Sequence, residues 1–360
     1  MRKYYLDNIR WCTVVLVVIY HVIYMYNAEG ILGGVGKITN LPVQYYDLYQ
    51  YIVYPWFMPI LFVVSGICSR IYLERHTEKE FIRSRTLKLL VPSTIGLFAF
   101  QFIQGYISMS ISNAFEIMAE VPGFIKYLIM AISGIGVLWY IQILWIFSMM
   151  LVLIRKIEKG RLYSVCVTVT VPILILLVLP LWGAAQILNT PVIVVYRFGF
   201  YGLQFLLGYF VFSHDEVIER LKKMFIPMMV AASALCVFFC IRYFGENFAD
   251  APVNRSLLFT VFSWFTCLAI LGGMAKYADH ETGFTKWMGQ RSFGLYVFHY
   301  LGISTVALYF AKSGILPAAV IYPLSLIAGF AAGYLLNAII SRLPFFRWAV
   351  LGIRKDRSNV

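Results

Sequence analysis

Arg10-Trp11-Cys12-Thr13-Val14-Val15-Leu16-Val17-Val18-Ile19-Tyr20-His21 sets an arginine and a histidine at the two ends of an apolar run. On an α-helix the eleven-residue step between them turns about 1100°, roughly 20° past three full circles, and rises about 16 Å. The two side chains therefore share one face, Arg10 near a membrane surface and His21 near mid-bilayer. An ionisable group at that depth is costly in lipid and marks a functional site by default.

The composition around this stretch agrees with a membrane setting. The chain has 360 residues, of which 61% are hydrophobic and only 13% charged, with a mean hydropathy of +0.78. A soluble domain carries about 25% charged residues, so this surface is too apolar for a water-soluble globule. A spanning helix needs about 20 mainly apolar residues. Ten segments qualify: 10–26, 51–71, 88–108, 137–154, 163–182, 194–212, 225–243, 257–276, 293–310 and 316–340. Their even apolarity differs from the period-two alternation of outer-membrane strands. The expected fold is all-α, a polytopic transmembrane bundle of about ten spans. The first run lacks a small-residue cleavage site and precedes many other spans, so it reads as a retained helix and not as a signal peptide.

The basic residues orient the bundle. With a cytoplasmic N-terminus, all but six of the 30 Lys and Arg fall on inner segments; the six are Lys37, Lys126, Arg197, Arg242, Arg255 and Lys312. Such a bias places both termini in the cytoplasm. It also makes the net charge of +13 an orientation signal and not a nucleic-acid footprint. Only the outer loops at about 27–50 and 109–136 exceed a short turn. No internal repeat is visible, which disfavours transporters built from repeated halves. Gly329-Phe330-Ala331-Ala332-Gly333 fits close helix packing. Cys12, Cys68, Cys166, Cys236, Cys240 and Cys267 all lie in apolar runs and read as small hydrophobes, with neither a disulfide framework nor a metal site.

Four stretches carry residues suited to chemistry. His21 is either a structural hydrogen-bonding histidine or a base or nucleophile in a polar cavity, since neutral imidazole accepts an alcohol proton near neutral pH. Asp7, three residues before Arg10, is placed to pair with that guanidinium. In Arg83-Ser84-Arg85-Thr86-Leu87-Lys88, the pair Arg85 and Lys88 stands one turn apart at a helix mouth and is suited to gripping phosphates. The other charges of that loop read as a solvated face. Ser292-Phe293-Gly294-Leu295-Tyr296-Val297-Phe298-His299 brings a second intramembrane histidine from the cytoplasmic side, placed to approach the Arg10–His21 face and either structural or functional. Tyr45-Tyr46-Asp47-Leu48-Tyr49-Gln50-Tyr51-Ile52-Val53-Tyr54-Pro55-Trp56 forms an aromatic interface belt or, with Asp47, a sugar platform, and the sequence leaves both open.

Together these pieces resemble the acyltransferase-3 family of integral membrane O-acyltransferases. Leu6-Asp7-Asn8-Ile9-Arg10 followed by His21 matches the family's arginine–ten residues–histidine motif. Phe62-Val63-Val64-Ser65-Gly66 resembles its second-helix signature, and Arg85 through Pro92 the basic stretch after it. Leu138-Trp139-Tyr140, Phe205-Leu206-Leu207-Gly208-Tyr209 and Ser292 to His299 are similar to later motifs, in the family's order. Two positions depart: Lys88 stands where the family has a second arginine, and Val137 where many relatives carry a polar residue.

The resemblance implies one acyltransferase-3-like transmembrane domain over 1–345, with 346–360 a short basic cytoplasmic tail. It implies a multi-pass enzyme of the cell membrane that moves an acyl group, acetyl or similar, from cytosolic acyl-CoA to a hydroxyl of a cell-envelope glycan or other acceptor. His21 and Arg10 are the expected catalytic residues. Arg85, Lys88 and Arg10 are the expected acyl-CoA contacts, and Asp7, Ser65, Trp139, Tyr296 and His299 supporting residues. No metal is expected. Partners would be acyl-CoA, the hydroxyl acceptor and the bilayer, without nucleic acid; homo-oligomerisation is left open. The competing class is a proton-coupled transporter or exporter using His21 as its proton site, and the blandest is a scaffold in which His21 and Arg10 substitutions are silent.

Overall fold

The computed structural model describes residues 2–28, 34–188 and 196–354. Among them eight helices are long and apolar enough to cross a membrane: α1 (Tyr4–Met25), α2 (Tyr45–Leu73), α3 (Glu78–Ile111), α4 (Gly136–Glu158), α5 (Phe225–Tyr243), α6 (Leu257–Tyr277), α7 (Gly283–Ala311) and α8 (Ala318–Ile340). No strand occurs among the described residues. The chain is an all-α polytopic bundle, as expected.

Two of the ten expected runs do not form single helices of that length. The run 163–182 breaks into Arg161–Cys166, Val171–Leu176 and Val178–Ala184. Its sequence explains this: Val167-Thr168-Val169-Thr170-Val171 is a β-branched stretch, which is stiff in a helix, and it leads into Pro172. Pro180 then has no N–H to offer the Leu176 carbonyl, which favours the second interruption. The loosened carbonyls find other donors. Arg220 Nη1 donates to Val167 O and Val169 O at 2.9 and 2.7 Å, and Trp264 Nε1 to Leu174 O at 2.7 Å. The run 194–212 yields a helix of 13 residues, Phe198–Phe210; positions 194 and 195 lie outside the described residues.

The described residues of Met1–Leu16, Leu48–Ile82 and Ile146–Gly289 make one compact unit, and those of Val17–Asp47, Arg83–Trp145 and Gln290–Val360 a second. The first is centred on the packing of α2 against Phe198–Phe210. A Cβ on Gly66 would stand 2.1 Å from the Phe205 carbonyl oxygen, and one on Gly208 would stand 2.1 Å from that of Val63. The two backbones therefore touch, and Phe62 stacks on Tyr201 with ring centroids 4.9 Å apart. The start of α1 is fixed in the same unit, where Asn8 Nδ2 donates to Ala278 O at 2.7 Å and His280 O at 3.1 Å.

In the second unit α3 is irregular for a reason written in its sequence. Pro92 cannot donate to the Lys88 carbonyl, so the helix widens: Val91 N–H reaches back five residues to Thr86 O, closing a π-turn over Thr86–Leu90. The C-terminal helix Pro344–Leu351 packs on the Val91–Gln101 part of α3 and buries Ala349, Val350 and Leu351. The stretch expected as a tail from 346 thus begins inside this helix, while 355–360 lie outside the described residues. The small residues of α8 serve packing: Gly329 faces Ile303 and Val18, and Gly333 faces Leu295.

The first loop is held by Asp47. Its buried carboxylate accepts from Gln44 Nε2 at 2.9 and 3.1 Å and from the Ala28 backbone N–H at 3.0 Å. Asp47 is thereby committed to fixing the loop, and of the belt's tyrosines only Tyr45 and Tyr46 are exposed.

Candidate active site

α1 and α7 each bring one histidine into the second unit, and the two rings meet. His299 Nε2 lies 2.9 Å from His21 Nδ1, and His299 Nδ1 lies 2.9 Å from the Leu295 carbonyl oxygen one turn back. His299 is fully buried. Around His21 stand the rings of Tyr300, Tyr20 and Tyr24, with centroids at 5.1, 5.3 and 6.1 Å. The Val17 carbonyl also lies against the His21 ring.

The final motif touches the fourth-helix motif in the same unit. The Tyr296 hydroxyl donates to the Val137 backbone oxygen. The Tyr140 ring stands edge-on to Tyr296 at 6.1 Å, with Trp139 beside Tyr140 at 6.4 Å. Because the contact uses the main chain of Val137, a polar side chain at that position is not needed for it. Deeper along α7, Ser304 Oγ donates to Gln104 Oε1 at 3.2 Å.

Arg85 and Lys88 belong to this unit as well. Arg85 is half-buried and Lys88 exposed, on either side of the start of the π-turn. The wider turn places them differently from the one-turn α-helical pairing that the spacing suggests. Trp145 Nε1 donates to Thr86 Oγ1 at 3.2 Å and ties the turn to α4.

Arg10, Asp7 and Ser65 lie in the first unit. Arg10 Nη1 donates to Asp7 Oδ1 at 2.8 Å, and Asp7 Oδ2 also holds Arg2 Nη2 at 3.0 Å. The pairing of Asp7 with Arg10 is the expected one. The second arm of the guanidinium is not: Arg10 Nη2 lies 2.6 Å from Cys68 Sγ, so Cys68 is an acceptor and not merely a small hydrophobe. Ser65 is buried beside the Gly66 crossing, and its carbonyl accepts from Ser69 Oγ at 2.8 Å.

The sequence had not singled out Tyr24, Tyr300 or Gln104. Two of the three carried a signal: Tyr24 follows His21 by three residues, hence the same helix face, and Tyr300 adjoins His299. Among the described residues, no group of three or more His, Cys, Asp or Glu is placed to hold a metal ion.

The model of the acyltransferase-3 family, described as an acyltransferase domain, matches residues 3–342. The chain belongs to the acyltransferase-3 family. This acyltransferase is therefore a multi-pass membrane enzyme whose family motifs sort into two physical kinds. Phe62–Gly66 and Phe205–Tyr209 meet as a backbone crossing, whereas His21 pairs with the buried His299 and Val137–Tyr140 meets Tyr296 three residues before it. No curated protein and no solved structure matches the chain.

Proposed function

We propose that this acyltransferase moves an acyl group, acetyl or similar, from cytosolic acyl-CoA to a hydroxyl of a cell-envelope glycan or other acceptor. The observation that carries the reading is the imidazole pair of His21 and His299, which fits proton abstraction from a neutral alcohol. In the proposed step His21 takes the hydroxyl proton, and the acceptor oxygen bonds to the thioester carbonyl carbon. The carbon–sulfur bond breaks, and His21 returns the proton to the CoA sulfur. The proposed orientation, from the Lys and Arg bias, puts both termini in the cytoplasm and the enzyme in the cell membrane.

Arg85 and Lys88 are the proposed grip on the CoA phosphates, and Arg10, oriented by Asp7 and Cys68, a further anion contact on α1. Arg85→Ala is expected to raise the KM for acyl-CoA by about 10- to 100-fold with little change in kcat, the worth of one charge-assisted hydrogen-bond set. Lys88→Ala should cost less, because Lys88 is an exposed point charge. Steady-state kinetics with each substrate varied checks this; an Arg85 effect confined to the acceptor would remove the assignment.

The decisive assay is release of free thiol. Purified enzyme in detergent or nanodiscs, given acetyl-CoA and envelope glycans, should liberate CoA in step with a mass increase on the acceptor. If neither acetyl-CoA nor longer acyl-CoAs release CoA with any acceptor, and envelope glycans of cells with and without the protein have identical masses, the reading fails.

A further inference from the structure

We infer that His299 is a positioning residue that fixes the proton of His21 on Nδ1 and leaves His21 Nε2 as the bare nitrogen. The inference rests on the proposed acyl transfer for its functional meaning, and on hydrogen-bond direction for its content.

A backbone carbonyl has only lone pairs to offer, so the 2.9 Å contact with Leu295 O requires the proton of His299 to sit on Nδ1. A neutral His299 then has a bare Nε2. The atom facing it at 2.9 Å, His21 Nδ1, must supply the proton. One proton on Nδ1 is all that a neutral His21 carries, so its Nε2 keeps a lone pair. The chain of donors thus runs from His21 Nδ1 to His299 Nε2, and from His299 Nδ1 to the main chain of α7. Two imidazolium rings at this separation would repel one another in a buried setting, which excludes protonating both.

The surroundings hold this arrangement. Tyr300, Tyr20 and Tyr24 flank the His21 ring at 5.1–6.1 Å and oppose the half-turn that would exchange its two nitrogens. His299 is buried on all sides, on a helix whose own carbonyl sets its tautomer. Which ring nitrogen of a histidine is free is decided by the bond the other makes. Here that second-layer partner is another imidazole where serine hydrolases use a carboxylate. When His21 Nε2 takes the hydroxyl proton, the bond from Nδ1 to His299 becomes charge-assisted and strengthens. The gain arises in the charged state and not in the resting one.

The test reads the tautomer directly. Full-length enzyme carrying 15N-labelled histidine in nanodiscs, with His21 assigned by its loss in His21→Asn, should show Nδ1 protonated and Nε2 bare. His299→Leu should lose that preference. His299→Gln, whose amide oxygen can accept from Nδ1–H, should restore it. In parallel, His299→Leu should lower kcat about 10²–10⁴-fold, the range for a misdirected general base, with the acyl-CoA KM within about twofold, and His299→Gln should recover at least about tenfold. A purely packing role would not separate Gln from Leu in this way.

Protonation of His21 at Nε2 in the wild type would overturn the inference. So would an unchanged Nδ1 tautomer in His299→Leu, because the Val17 carbonyl would then suffice. If the Leu variant does not fold, the wild-type signature and the Gln variant still decide the matter. The tautomer is read without substrate. An enzyme with the expected signature and no acyl transfer would therefore lose the proposed function and keep the inference.

Discussion

His21→Ala is expected to lower kcat by about 10²–10⁴-fold or more, the contribution of a general base, while the protein still inserts and folds. The imidazole is proposed to act at the proton that must leave the acceptor hydroxyl, so its loss removes stabilisation found in the transition state and leaves acyl-CoA binding largely intact. The structural consequence is smaller. His299 Nε2 loses the partner at 2.9 Å, and an unsatisfied buried acceptor costs about 1–3 kcal/mol. The surrounding tyrosines and the helix packing of α7 on α8 remain. Two measurements separate the effects: CoA release under saturating substrates, and the melting temperature and size-exclusion profile of the purified variant. A fall in kcat beyond 10²-fold with a monodisperse, slightly less stable protein is the expected pair of results. Near-normal turnover would remove His21 from the chemistry, whatever its contacts. His21→Gln, which keeps a polar amide in the helix, guards against reading a folding defect as a catalytic one.

The residues that were legible in the sequence are those whose geometry is set by one helix. The eleven-residue step from Arg10 to His21 and the three-residue step from Asp7 to Arg10 follow from helical period alone, and the Asp7–Arg10 pair is there at 2.8 Å. The partner of His21 was legible only as a possible approach of His299, entering from the cytoplasmic side, to the Arg10–His21 face, and not as a contact. His299 lies 278 residues further on, and no local rule states that α1 and α7 meet at that register. Local chemistry also overrode the regular period. Pro92 turns the Arg85–Lys88 spacing into a π-turn, and Pro172 and Pro180 break a run that hydropathy reads as continuous.

Charge was the least reliable local guide. Arg197, counted among the six cations outside the inner segments, is 1% exposed. Its guanidinium carbon stands 4.5 Å from the ring centre of Phe200 and 5.0 Å from that of Phe259, and Nη2 donates to Asn254 O at 2.6 Å. Asp47 offered an acidic group to a sugar and is instead buried under Gln44 and Ala28. Hydropathy averages over a window, whereas burial of a single polar group depends on which acceptors the rest of the chain brings to it.

Gly66→Ala and Gly208→Ala are expected to destabilise the first unit strongly. A methyl group at position 66 would stand 2.1 Å from the Phe205 carbonyl oxygen and 2.8 Å from the Tyr209 nitrogen. Both are main-chain atoms of a buried helix, so no side chain can rotate to make room. Relief requires the helices to separate, and separation breaks the Phe62–Tyr201 stack and opens a gap along the most extensive helix pairing of the first unit. Overpacking costs about 1–3 kcal/mol where the core can adjust, and with backbone on both sides the loss should reach the top of that range or exceed it. Small residues at such crossings allow the close approach that holds membrane helices together without a hydrophobic driving force. Gly183→Ala provides the contrast. Nothing lies within 4 Å of its added Cβ, so exchanging a helical glycine for alanine should leave stability unchanged or raise it by up to about 1 kcal/mol. Thermal melts of the three variants in one detergent give the ordering directly. If Gly66→Ala melts with the wild type, the two backbones are not in contact, and the Phe62–Gly66 motif must owe its glycine to something other than packing.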